Sequence, residues 1–180
     1  MWPLSPALPP EWLVVAPRAP LPHPDGGYDW RPRKRDQWPQ LADFDDAVAA
    51  VIRFTTALPQ LYGADRGAIH LMGFSQGAAT AFATAIAQRD LARGIASVVG
   101  FVPARCESLV SVRPLGGLPV FLAVGRRDPL IPLERSRACA ATLRAVGAAV
   151  TYREYDVGHK LSTAGMKDLL AWWSQAAHGP

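Results

Sequence analysis

The sequence predicts a three-layer α/β sandwich whose mainly parallel sheet has about five strands. Two observations carry that expectation. Short apolar runs, long enough for strands but too short for helices, alternate with longer segments of helical periodicity. Strand followed by helix, repeated, implies parallel strands joined by right-handed crossovers. At 180 residues, with 49% hydrophobic and 19% charged side chains, the chain is expected to form one domain, 1–180, around a single core.

The elements follow in order. Residues 1–10 are proline-rich and lack a basic start, so they are not expected to act as a secretory signal. "EWLVVA" (11–16) reads as the first strand and ends at Pro17. Residues 17–40 are rich in proline and contain the pair Gly26-Gly27, which predicts a long loop. A structureless loop of that length in a compact domain usually has a function. Leu41, Phe44, Val48, Val51 and Ile52 recur at helical spacing, and Asp43, Asp45 and Asp46 suit a helix N-terminus, so a helix is expected over 41–57. "AIHLMGF" reads as a buried strand and "GAATAFATAIAQRD" as the helix after it. "IASVVGFV" (95–102) and "PVFLAVG" (119–125) are further buried strands. A helix from about Leu133 places Ser136, Cys139, Ala140, Leu143 and Val146 on one face and stops at Gly147. "VTYREY" (150–155) alternates as a one-sided edge strand does, and a last helix covers about 161–176.

Composition narrows the function classes. No apolar run approaches the ~18 residues of a membrane span. Cys106 and Cys139 are the only cysteines; two scattered cysteines make no disulfide framework, and a reducing cytoplasm is the expected compartment. The net charge is +4, and part of it is concentrated in "RPRKR" (31–35). That run is short and broken by proline, and no aromatic-interleaved module accompanies it. A solvated loop is therefore expected, and no nucleic-acid partner. No Cys/His cluster has metal-ligand spacing and no glycine loop suits a phosphate, so neither metal nor organic cofactor is expected.

In open parallel sheets function collects at the carboxyl ends of the strands. "HLMGFSQGAA" (70–79) places Ser75 at such an end, inside a G-x-S-x-G pattern. A chain that turns from strand to helix within two residues needs little bulk at its flanks, so side chains at Gly73 and Gly77 are expected to collide with backbone. The amide of Gln76, at the start of the helix, is then placed to bind an oxyanion. A serine hydroxyl needs a base, and the base an orienting acid. Of the four histidines, His23 lies in the proline-rich loop, His70 inside a strand and His178 in the tail, whereas His159 in "YDVGHKLS" follows the last strand. Asp128 in "VGRRDPLIP" follows the strand before it; Asp156, three residues from His159, is the competing acid. The order Ser75, Asp128, His159 is that of an α/β-hydrolase.

With these residues in view, the chain resembles the phospholipase/carboxylesterase group of α/β-hydrolases, which includes acyl-protein thioesterases. The resemblance covers about residues 11–176 and rests on "GFSQGAA", "VVAPRAP", "VGFVP", "GRRDPLIP" and "VGHKL". It implies Ser75 as nucleophile, Asp128 as orienting acid and His159 as general base, in a serine esterase of small, uncharged carboxylic esters. One departure stands out. The family's early strand ending in His-Gly, whose loop gives a second oxyanion donor, has no counterpart here, since the only His-Gly pair is His178-Gly179. The alternative reading is accordingly a binding or scaffold protein on a disabled hydrolase fold. The loop from Pro17 to Pro39 is the expected substitute donor. Tyr28, Trp30, Phe101, Val102, Leu130 and Ile131 are candidates for the acyl pocket, with core or lid packing as the other reading of each. Without the intervening strand, "EWLVVA" either pairs directly with "AIHLMGF" or leaves that edge open. Five strands and a homodimer at that side are expected.

Overall fold

A computed structural model describes residues 8–34, 37–109 and 111–177. The predicted loop contains a small antiparallel hairpin, β1 (Leu21–Pro22) and β2 (Tyr28–Asp29). Gly26 and Gly27 make its turn at φ +92° and +89°, a region that glycine enters without a Cβ penalty. A 3₁₀ turn at Leu41–Phe44 leads into α1 (Asp45–Tyr62), which runs past the expected end to Gly63 at φ +67°. There follow β3 (His70–Phe74), α2 (Gln76–Ala87), β4 (Gly94–Val98), β5 (Pro119–Gly125), α3 (Leu133–Ala145), β6 (Ala149–Tyr155) and α4 (Thr163–Ala177).

The main sheet is parallel throughout, in the order β3-β4-β5-β6. Among the described residues it has four strands rather than five, because the "EWLVVA" segment forms no ladder. Its anchorage explains why. Trp12 stacks flat on the His70 ring at 5.7 Å and meets Trp173 edge-on at 5.8 Å. The segment is thus held by a side chain on the face of the sheet, not by main-chain pairing at its edge.

Strand periodicity divides the core. Val120, Leu122 and Val124 of β5 pack with Phe44, Phe82 and Leu143 on the α1–α3 side. Phe121 and Ala123 pack with Leu169, Trp172 and Trp173 of α4 on the other. Each such large apolar side chain, fully buried, contributes ~1.5–3 kcal/mol. α2 buries alanines at 78, 79, 81, 83 and 85, and small side chains on so many sides let this helix lie close against the sheet and set the height of its first turn.

β6 lies at one edge of the sheet, and Glu154 organises its surface. Arg137 contacts it at 2.9 Å, Arg126 at 3.3 Å, and the Tyr152 hydroxyl donates to it at 3.1 Å. Led by Arg137, these partners overcome partial burial and lower the Glu154 pKa to about 2.

Candidate active site

The end of β3 turns into α2 through a single residue. Ser75 stands at φ +52°, ψ −114°, outside the regions open to ordinary L-residues. Its own amide is tied to Val98 O at 3.0 Å, across the end of β4. Gly73 is where the turn demands glycine: a Cβ there would lie 2.2 Å from Ala78 N and from Gly77 C. Gly77 differs from the expectation. A Cβ on it would meet only Trp30 Nε1, at an ordinary 3.6 Å, because it already lies in the helix with its hydrogen pointing away from the crossing backbone. Gln76 opens the helix, where main-chain amides lack intrahelical acceptors.

Asp128 follows β5 and is buried. Its Oδ1 accepts the amides of Leu130 at 2.8 Å and Ile131 at 3.0 Å, and its Oδ2 lies 2.7 Å from His159 Nδ1. The loops carrying these two residues touch backbone to backbone. Arg127 N–H donates to Val157 O at 3.0 Å, and a Cβ on Gly125 would come within 2.3 Å of Gly158 O. His159 also meets the ring of Phe74 edge-on at 5.1 Å, and Phe74 directly precedes Ser75, so the imidazole is adjacent to the strand-to-helix turn. The competing acid is elsewhere: Asp156 pairs with Arg127 at 2.8 Å, and its side chain is 71% exposed.

The other named residues separate into groups. Phe101 and Val102 are buried in the core, Phe101 against Trp38 and Phe44. Ile131 is buried and Leu130 exposed, and both meet the site through their amides rather than their side chains. Tyr28 is half exposed under the Arg18 guanidinium. Trp30 lines a cavity beside Phe74 and Gly77. His70 lies in β3, where burial, aided by Arg93, lowers its pKa. His23 accepts Asp25 N–H at 3.0 Å, and His178 lies outside the described residues. In the basic run Arg33 pairs with Asp29 and Lys34 with Asp43, which accounts for part of its charge; Arg35 is not among the described residues. Among the described residues no three His, Cys, Asp or Glu side chains are grouped to hold a metal ion, and no helix is long and apolar enough to cross a membrane.

The sequence did not reveal the Gln76 side chain's role. Its Oε1 accepts the Trp30 amide at 3.1 Å and its Nε2 donates to Asp29 Oδ1 at 3.1 Å. One side chain thus docks the hairpin onto the first turn of α2. A long-range clamp between residues 46 and 47 positions apart leaves no local pattern to read. Val99, a β-branched residue at φ +40° just past β4, is a second conformational outlier beside the turn.

Comparison with known proteins gives consistent results. The profile of the family described as phospholipase/carboxylesterase matches residues 14–175. The protein MhqD of Bacillus subtilis, which bears the name of a hydrolase, is 28% identical over 137 residues; the chain spans 62% of that relative's length. A carboxylesterase structure from Mesorhizobium loti superposes with TM-score 0.82 at 21% identity, over 99% of this chain and 81% of that one. A Bacillus cereus carboxylesterase gives TM-score 0.76 at 21% identity, over 88% and 73%. At these identities the superpositions show a shared fold.

Proposed function

Because the chain belongs to the phospholipase/carboxylesterase family, we propose that it is a serine hydrolase of small, uncharged carboxylic esters, acting through Ser75, His159 and Asp128. The observation that carries this reading is the 2.7 Å contact of Asp128 Oδ2 with His159 Nδ1 beside the strained serine. Asp128, with two amides on its far oxygen, is set up as an ionised acceptor. It holds the neutral imidazole with the proton on Nδ1, so that Nε2 is the free base. Nε2 takes the Ser75 proton as Oγ attacks the ester carbonyl, and returns it to the departing alcohol. Water then releases the acyl group by the same steps in reverse. The Gln76 amide binds the developing oxyanion, and the hairpin that Gln76 docks is the proposed source of a second donor. The enzyme is proposed to work in the cytoplasm on short acyl groups and without a cofactor.

A fluorophosphonate probe tests the reading directly. Labelling should map to Ser75 and disappear in Ser75→Ala. Failure of the folded protein to label would favour the scaffold reading instead.

A further inference from the structure

Asp128 and His159 leave the sheet after β5 and β6, whereas Ser75 follows β3 at the other edge. With strands ~4.8 Å apart, β6 stands roughly 14 Å from β3, so the imidazole is carried on a loop across two intervening strand ends. The main chain of that loop is fixed near its root, by Arg127 N–H on Val157 O and by the close approach of Gly158 to Gly125. The side chain beyond it must be held as well. Asp128 fixes one ring atom, Nδ1, at 2.7 Å. A ring held at one atom still pivots about it, and the pivot swings Nε2 toward or away from the serine.

A second contact comes from Phe74. Its ring meets the imidazole edge-on, with 5.1 Å between centroids and 74° between planes. Phe74 belongs to neither core cluster and is 43% exposed, so burial does not account for an aromatic side chain at this place. Its backbone is well fixed: it ends β3 in register with Val98 and directly precedes Ser75, whose own amide is tied to Val98 O.

We propose that Phe74 is a positioning residue: a ring stop that, together with Asp128, holds the His159 imidazole at two points and so sets Nε2 relative to Ser75 Oγ. The inference rests on the reading of Ser75, His159 and Asp128 as the reacting unit. Stop and nucleophile are consecutive residues at one strand end, so a shift of β3 carries both together. The base therefore keeps its distance from Oγ although it arrives from the other edge of the sheet. Such positioning acts on turnover rather than on affinity, since a misplacement of ~1 Å can cost ~100-fold in rate.

Phe74→Val keeps the strand preference and removes the ring, whereas Phe74→Tyr keeps the ring. On p-nitrophenyl acetate, Phe74→Val should lower kcat about 10- to 100-fold with KM within about twofold of the parent. Phe74→Tyr should stay within about threefold on both. A second readout does not depend on turnover: NMR relaxation at the His159 Cε1–H should report a more mobile ring in Phe74→Val and a parent-like ring in Phe74→Tyr. Phe74→Ala should repeat the valine result, and takes its place if the valine chain does not fold. Unchanged kcat and ring mobility without the aromatic ring would overturn the proposal. So would a raised KM at constant kcat, which puts Phe74 on the substrate, or an equal loss in Phe74→Tyr. Fluorophosphonate labelling separates this inference from the reading beneath it. If the parent labels at Ser75 and Phe74→Val labels as fast, the ring stop alone is wrong; a folded parent that does not label overturns both.

Discussion

At Ser75 and its flanks, steric and chemical demands fall on different residues. Gly73→Ala places a Cβ 2.2 Å from two main-chain atoms and should destabilise by ~3 kcal/mol, the upper end of the usual overpacking cost. Gly77→Ala meets only a 3.6 Å contact and should stay within ~1 kcal/mol of the parent, as read by chemical denaturation. A G-x-S-x-G pattern treats the two glycines alike; only the coordinates distinguish them. On the proposed chemistry, Ser75→Ala and His159→Ala should each lower kcat on the order of 10⁴-fold or more, and the double variant little further, because the members act as one unit. Asp128→Asn should approach them. Asp156→Asn should leave turnover nearly unchanged, since that carboxylate faces solvent beside Arg127; a larger loss there than at Asp128 would reassign the acid.

Among the elements, β3 to β6 and the four long helices were legible, because each is a local pattern of apolar residues, although the strand expected over 95–102 ends at Val98. β5 carries the residues expected of it, 119–125. "EWLVVA" has the composition of a strand but not the pairing, since a ladder needs a neighbour within hydrogen-bond reach. The hairpin at 21–29 was hidden for the opposite reason: two-residue strands leave no periodicity, and their position depends on Gln76. Gln76→Ala should therefore speed amide exchange at Trp30 and expose the 23–27 turn to limited proteolysis, with α2 intact by circular dichroism. Asp128 and His159 were readable as strand-end residues in chain order, whereas the loop-to-loop contact joining them was not. On β6, Glu154 titrates near 2 in the fold against 4.5 for the free side chain. A depressed acid stabilises the fold fully above the unfolded value, and that contribution is lost as pH falls from about 4.5 toward about 2. Glu154→Gln should thus lower Tm at pH 6 and make little difference near pH 2.

In the whole molecule, the two core clusters share one sheet, and every inner strand contributes to both. Tryptophan fluorescence, weighted to Trp172 and Trp173, and far-UV ellipticity should therefore follow one coincident unfolding transition. Separate transitions would divide the chain into independent units. The backbone at Ser75 bears on that same transition. A residue held at φ +52°, ψ −114° raises the energy of the entire native state by ~1–3 kcal/mol. Glycine relieves most of that while adding ~0.4–1 kcal/mol of unfolded-chain entropy. Ser75→Gly should accordingly melt a few degrees higher than the parent, with the hydroxyl gone. Selection for thermal robustness alone would then erase the serine, so its persistence in a lineage would record a demand for chemistry that the melting temperature opposes.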